Sequence, residues 1–493
     1  MPMYTRWGHE GKMSDNPRVK GNWTRNAVLA FSAVALYQAL RTSKGTLSPL
    51  AVGGLLIAIL ALLVGAFGPP IRRIEALGEK AVLAVLAGGL ALQFAELLQS
   101  TLRYFFGISI AHMFFMAGIV ACALLTLAAT TGRVPSGNTW FVVLVAMHFF
   151  MGIAYLHISD VPVIDVLVVQ QDASAAILRG HSPYALTFPN IYGEDWKFFY
   201  GLGNVVNGRV QGGLPYPPLT LYLCLPSYLL TGDVRYSHLA ATTLAGLLIG
   251  FSGRGMLSKL AAVLFLFSPV VFLVIEHAWT EPFLVLLLGI VLFQCRLGRS
   301  PVLALGLLVA SKQYVVLAVP MAAWLLIRER SLRAWSGLVL RVGAVSLAVT
   351  LPLALWNFGA FFRAVVGGPW ALAGNPSSGQ GWFRPDSLSI PAWLVHLGLT
   401  RPPMWPAFLA VGVAGFFLLK RLPPSGASFA ISLAVMYMLL FSLSNSQAFV
   451  NYYFLVGACI CASIAAADTK DRLDPGGLLE ATGSESGQRG SCL

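Results

Sequence analysis

PLAVGGLLIAILALLVGAFG, residues 49–68, carries no charged side chain. It is as long as a helix needs to be to cross a bilayer, roughly 17–25 residues. Comparable apolar runs recur at 81–98, 107–130, 139–157, 257–275, 334–356, 404–419, 427–444 and 452–467. Of the 493 residues 57% are hydrophobic and only 11% charged, with a mean hydropathy of +0.73. Soluble globular chains carry about 25% charged residues. This pattern excludes a soluble enzyme, a nucleic-acid-binding protein, a disulfide-framed secreted domain and a disordered chain. It predicts an all-α polytopic membrane protein of about 11–13 transmembrane helices, with a large external loop that carries an interfacial helix.

The net charge of +13 and the pI of about 9.6 fit basic cytoplasmic loops and contact with anionic membrane lipids rather than nucleic acid. The six cysteines (Cys122, Cys224, Cys295, Cys459, Cys461 and Cys492) lie mostly in apolar runs and form no CxxC pair. Residues 1–26, with Arg6, Lys12, Arg18, Lys20 and Arg25, read as a cytoplasmic tail without a cleavable signal. Residues 468–493 read as a disordered cytoplasmic tail. Between the tails, 27–135 reads as a four-helix membrane segment and 136–467 as the main membrane module, with external loops at 158–213 and 357–403.

Counting positive charges loop by loop places both termini on the cytoplasmic side of the cell membrane. The middle of the chain resists that count. Arg254 and Lys259 belong inside, yet 214–231 and 235–252 read as two crossings that would leave Arg254 outside. One of the two segments is therefore re-entrant or lies flat. Residues 301–327 are too short for two crossings, which need roughly 40 residues. Their centre is polar: Ser311, Lys312, Gln313 and Tyr314. A hairpin of two short helices meeting at partial depth satisfies both facts, and a lysine there is a functional candidate.

In the first external loop, 164–178 has helical periodicity, with Val166, Val169, Ala173, Ala176 and Ile177 apolar and Gln170, Gln171 and Ser174 polar. Gly180 and Pro183 end it. An amphipathic helix on the outer membrane surface is expected. Asp165 and Asp172, seven residues apart, share one face of it. A carboxylate there can act as a general base; Asp165 is equally explained as an acid favoured at a helix N-terminus. The rest of the loop is crowded with rings (Tyr184, Phe188, Tyr192, Trp196, Phe198, Phe199, Tyr200, Tyr216), which suit a sugar or a lipid headgroup. GLGNVVNG at 201–208 is no nucleotide fingerprint, because no strand precedes it.

Taken together, RGHSPY (179–184), YPPL (216–219), FSPVVFLVIEHAWTEPFLVLLL (267–288) and LLVASKQYVVLAVP (307–320) resemble the C superfamily of integral-membrane glycosyltransferases, and within it the mannosyltransferase-like glycosyltransferase family 87. The resemblance spans roughly 139–465. It implies a polyprenyl-phosphate sugar as donor and a glycan or lipid as acceptor. Asp165 would be the general base, with Asp172 and Asp160 as weaker choices, and Glu281 a second acidic residue. Lys312, followed by Gln313, would meet the donor phosphate, supported by Arg209 or Arg384. Tyr184 and Tyr216 lie in the matching motifs. Trp370, Trp382, Arg384 and Asp386 would shape the groove from the second loop, and Asn451, Tyr452 and Tyr453 stand before the last helix.

The reaction so implied is inverting transfer of a hexose, such as mannose, to an acceptor hydroxyl at the external face. A role for a divalent metal stays open, since no ligand cluster with convincing spacing is visible. Two other classes stay open: a lipid or solute transporter or flippase, against which no internal repeat is visible, and a non-catalytic membrane subunit.

Overall fold

The computed structural model describes residues 23–102, 109–134, 137–200, 203–327, 331–367, 383–444 and 447–467. The expectations for the two tails beyond these limits, and for Trp370, Trp382 and Cys492, lie outside the described residues. The chain is an all-α polytopic membrane protein. Among the described residues seven helices are long and apolar enough to cross a membrane.

The chain opens with α1 (Trp23–Ser43), α2 (Pro49–Phe67), α3 (Arg72–Leu77), α4 (Glu79–Leu102), α5 (Ile110–Thr130) and α6 (Thr139–Ile158). Next come α7 (Asp165–Leu178), the short α8 (Trp196–Tyr200) and α9 (Pro218–Thr231). Helices α10 (Arg235–Gly250), α11 (Met256–Leu266), α12 (Val271–Glu276) and α13 (Glu281–Arg296) follow. Then come α14 (Val302–Val309), a 3₁₀ turn at Gln313–Leu317, α15 (Ala318–Leu325) and α16 (Leu332–Trp356). The last helices are α17 (Phe358–Phe361), α18 (Ile390–His396), α19 (Trp405–Arg421), α20 (Gly426–Leu443) and α21 (Val450–Ala467). Helix starts are marked by serine caps: Ser48, Ser331, Ser389 and Ser425 each accept a backbone N–H from three residues on.

One apolar core runs from Ala27 to Ala465, so the N-terminal helices share it with the rest of the chain. Helix α21 is its axis: 83% of its apolar window is buried, against 22% for α16 at the periphery. A Cβ on Gly457 of α21 would fall 2.7 Å from the Tyr37 ring of α1, which is why the two helices can approach so closely there. Phe94 of α4 meets Phe267 at 5.1 Å, where Pro269 breaks the run 257–275 into α11 and α12.

The bundle has two distinct ends. At the basic end Arg421 donates to the Phe67 carbonyl (3.4 Å), Thr24 N–H to Glu75 (2.8 Å), Ser463 to the Ala427 carbonyl (3.0 Å) and Arg296 to the Phe251 carbonyl. Gly253, next to Arg254, lies against the carbonyl of Ala465. At the opposite end the α1–α2 turn bonds the segment before α18 (Leu47 N–H to the Asp386 carbonyl, 2.8 Å), and that segment bonds the approach to α21 (Leu388 N–H to the Ala448 carbonyl, 2.9 Å).

These contacts resolve the parity of the middle segment. Helix α9 does not run between the ends: Cys224, in its middle, bonds Gln170 of α7 (3.1 Å), and Gly232, at its end, accepts from Gln171 (3.0 Å). It lies beside α7 throughout. Helix α10 does run the length of the bundle, parallel to α13, from His238 beside Phe283 (4.6 Å) to Phe251 beside Arg296. Arg254 is thereby returned to the end that carries Arg296 and Arg421.

Two features differ from the sequence expectation. Helix α7 is covered by α9 and by the α12–α13 turn, so Gln170 and Ser174 are buried rather than facing water. The segment between α7 and α9 also holds a small antiparallel sheet, β1 (Phe188–Pro189), β2 (Val205–Val206) and β3 (Arg209–Val210), in the order β1-β3-β2. Asn207 (φ 50°) and Gly208 (φ 72°) turn β2 into β3 with the left-handed backbone a two-residue hairpin demands.

Candidate functional site

The turn from α12 to α13 reads His277-Ala278-Trp279-Thr280-Glu281. Ala278 sits at φ 52°, a left-handed conformation that costs a residue with a Cβ about 1–3 kcal/mol. Its carbonyl is held by Gln170 Nε2 at 2.6 Å. The turn delivers Glu281 to the start of α13, where the helix dipole favours an acid.

Glu281 is fully buried, and its Oε1 accepts three hydrogen bonds: from Lys312 Nζ, from the Tyr314 hydroxyl (3.1 Å) and from Asn451 Nδ2 (3.0 Å). Lys312 and Tyr314 come from the break after α14, and Asn451 from the first turn of α21. The expected hairpin is thus present as two short helices, with extended backbone at Lys312 (φ −158°, ψ 146°) aiming the lysine at Glu281. Its ammonium lies 5.7 Å from the Tyr216 ring centre, 5.5 Å from Tyr314 and 5.1 Å from Tyr452. Three aromatic faces and one carboxylate hold a charge that apolar surroundings would otherwise expel.

Asp165 begins α7 and accepts the Val166 N–H (2.8 Å), while its own N–H donates to the Tyr192 hydroxyl (3.3 Å). Burial pushes the Asp165 carboxyl above the usual range; the Val166 N–H, the Tyr192 hydroxyl and the Arg384 cation each pull it back in part. Tyr192 stacks on Phe199 (3.8 Å). Arg384 pairs with both oxygens of Asp386 (2.8 and 2.7 Å), and its guanidinium lies 4.4 and 4.7 Å from the Phe198 and Phe199 rings. Tyr216 joins the two centres. Burial first, then the negative fields of Asp165 and Glu281 among its neighbours, hold its hydroxyl well above the usual tyrosine range, so it remains a proton donor.

Asp165, Glu281, Lys312, Tyr216 and Arg384 therefore belong to one end of the bundle and to one neighbourhood. The other expected residues have different surroundings. Asp172 faces Arg209 and Arg179, and Arg209 is held by the Thr187 hydroxyl (2.6 Å) and carbonyl beside the small sheet. Tyr184 is buried, donates to the Tyr216 carbonyl (3.1 Å) and so fixes Tyr216 from behind. Gln313 donates to the carbonyls of Val365 (3.1 Å) and Pro215 (3.4 Å), tying the hairpin to the backbone before Tyr216. Tyr453 donates to the Leu388 carbonyl (2.5 Å). Among the described residues no three His, Cys, Asp or Glu side chains converge as metal ligands.

Gln170 and Tyr314 escaped the sequence reading as parts of the site, and Tyr192 was read only as one of the loop's rings, not as a partner of Asp165. Tyr314 was visible within the polar centre of 301–327. Gln170 carried no signal, because a glutamine on an amphipathic helix reads as solvent-facing. Compared with known proteins, the chain matches no family model, no curated protein and no solved structure.

Proposed function

We propose that this chain is an integral-membrane glycosyltransferase that moves a hexose from a polyprenyl-phosphate donor to an acceptor hydroxyl on the extracytoplasmic side. The observation that carries the proposal is the meeting of Asp165 with the Lys312–Glu281 pair across Tyr216; the motif resemblance over 139–465 supports it. In this reaction the acceptor oxygen attacks the anomeric carbon and its proton passes to the Asp165 carboxylate. The bond from that carbon to the phosphate oxygen breaks, and its electron pair stays on the phosphate. A single displacement inverts the anomeric centre. Lys312 meets the charge that grows on the leaving phosphate, in surroundings dry enough to strengthen the contact. No proton is needed by the leaving group, which separates this chemistry from the two-carboxylate logic of glycoside hydrolysis.

The test is Asp165→Asn in membranes supplied with the lipid-linked sugar. Transfer is abolished while the protein accumulates normally; full activity in the variant removes Asp165 from the mechanism. A second reading, a transporter or flippase, is favoured by two observations: two interrupted helical segments, α11–α12 and α14–α15, and an ion pair between Glu281 and Lys312. Broken helices and buried charges are also what transporters use. Movement of the lipid-linked sugar without bond cleavage would favour that reading.

A further inference from the structure

All three hydrogen bonds to Glu281 end on Oε1, whereas Oε2 is buried and has no partner among the described residues. Buried carboxylate oxygens ordinarily accept hydrogen bonds. Oε2 is the place on this side chain where a proton can sit without breaking a bond. The paired charges around it are already matched: Lys312 by Glu281, and Arg384 by Asp386. A phosphodiester that reaches Lys312 brings one more negative charge into a nearly dry site. Uncompensated, that charge is costly to bury.

We infer that binding of the phosphodiester donor at Lys312 is coupled to uptake of one proton from solvent onto Glu281 Oε2. The Lys312 ammonium passes from the carboxylate to the phosphate, Glu281 becomes neutral, and its Oε1 keeps Tyr314 and Asn451. The ion pair is thus a resting state that holds the lysine charged and aimed while no donor is present. This inference rests on the donor reading above and adds a proton to the donor's binding equilibrium.

The groups facing Glu281 leave few other sites for that proton. Tyr216 from the loop before α9, Tyr314 from the 3₁₀ turn, Tyr452 from α21 and, behind Tyr314, Tyr437 from α20 are phenols, which ionise near 10 when unperturbed. Helix α14 presents no titratable side chain. His238 from α10 has its Nδ1 on the Val234 carbonyl (2.9 Å), while its buried Nε2 has no hydrogen bond among the described residues and is the rival site that Glu281→Gln tests. At the far side of the turn Glu276 accepts from the Tyr155 hydroxyl (3.2 Å) and His277 has its Nδ1 on the Leu273 carbonyl (3.0 Å), and Asp165 from α7 faces Tyr216.

The experiment is calorimetry on the full-length protein in lipid nanodiscs, titrated with farnesyl methyl phosphate. This short-chain phosphodiester does not itself titrate between pH 5 and 9, so any proton taken up belongs to the protein. Running it at one pH in two buffers of different ionisation enthalpy counts the protons. Uptake approaching one proton is expected in the wild type, with affinity weakening by up to about tenfold per pH unit as pH rises. Glu281→Gln should bind with no uptake and a flat pH dependence. Binding to the wild type without proton uptake overturns the inference and leaves the donor site standing, whether or not the variant folds. Uptake retained in Glu281→Gln overturns it too, by sending the proton elsewhere. Failure of the wild type to bind the probe overturns both the inference and the donor reading.

Discussion

Glu281 and Lys312 are each tolerable only because of the other. Removing one partner of a buried pair leaves a charge without compensation, at a cost of about 3–5 kcal/mol. Lys312→Met should therefore lower the thermal midpoint of the purified protein markedly, and the double variant Lys312→Met with Glu281→Gln should recover most of the loss. A double variant no more stable than the single one would show that the pair is not the source of the cost. Asp165 lends itself to a pH test. As a base it must be ionised, and burial raises its pKa, so transfer falls on the acid side at a pH above the usual carboxylate range. The Tyr192 hydroxyl helps hold that pKa down. Tyr192→Phe should move the acid limb of the rate profile to higher pH; a shift to lower pH would contradict the assignment.

At the scale of elements, α7 acts as a strut whose position is set by Gln170, which bonds the Ala278 carbonyl with its amide and accepts from Cys224. It ties the helix that begins with Asp165 to the turn that ends in Glu281. Gln170→Leu leaves the Ala278 carbonyl without this donor, a loss of about 1–3 kcal/mol. If the glutamine positions α7, kcat should fall several-fold with KM for the donor little changed. Equal changes in kcat and in the amount of folded protein would reduce Gln170 to a packing residue. The limits of α7 were legible in the sequence, since 164–178 showed the period of a helix and Gly180 ended it. So was the hairpin around Lys312, because too few apolar residues flanked a polar centre. The burial of α7 was not legible, because what covers it, α9 and the Ala278 turn, is remote in sequence. The pairing of Lys312 with Glu281 was hidden for the same reason: 31 residues and a helix reversal separate them. The β2–β3 hairpin did leave a signal in Asn207-Gly208, which a search for helices passes over.

Across the whole molecule, the N-terminal helices have a place that no motif announced. Their α1–α2 turn bonds the Asp386 carbonyl and packs on Val450, one residue before Asn451. Gly45 makes this possible. Its φ is +78°, and a Cβ there would lie 2.4 Å from the Val450 backbone nitrogen. Gly45→Ala should cost about 1–3 kcal/mol from its backbone conformation alone. It should also impair transfer more than it impairs folding, because the displaced segments carry Arg384 and Asn451. Normal transfer per folded molecule would sever the N-terminal helices from the site. Seven of the nine apolar runs form helices long enough to cross, as their length predicted, whereas 257–275 is broken at Pro269 and 404–419 forms the 17-residue α19, which is not among those seven. The crossings of 214–252 were not legible, because a helix of 14 residues such as α9 is long enough to look like a crossing and short enough to lie along α7.

The proposed chemistry at this end of the bundle breaks the bond between a sugar and a lipid phosphate and forms a new glycosidic bond. Purified protein in sealed proteoliposomes, given a polyprenyl-phosphate hexose labelled in the sugar and a mixed pool of glycan and lipid acceptors, tests it most directly. The expected result is a labelled product with the anomeric configuration inverted, stoichiometric release of polyprenyl phosphate, and neither in Asp165→Asn. Labelled donor recovered intact on the other side of the bilayer, with no polyprenyl phosphate released, would contradict it.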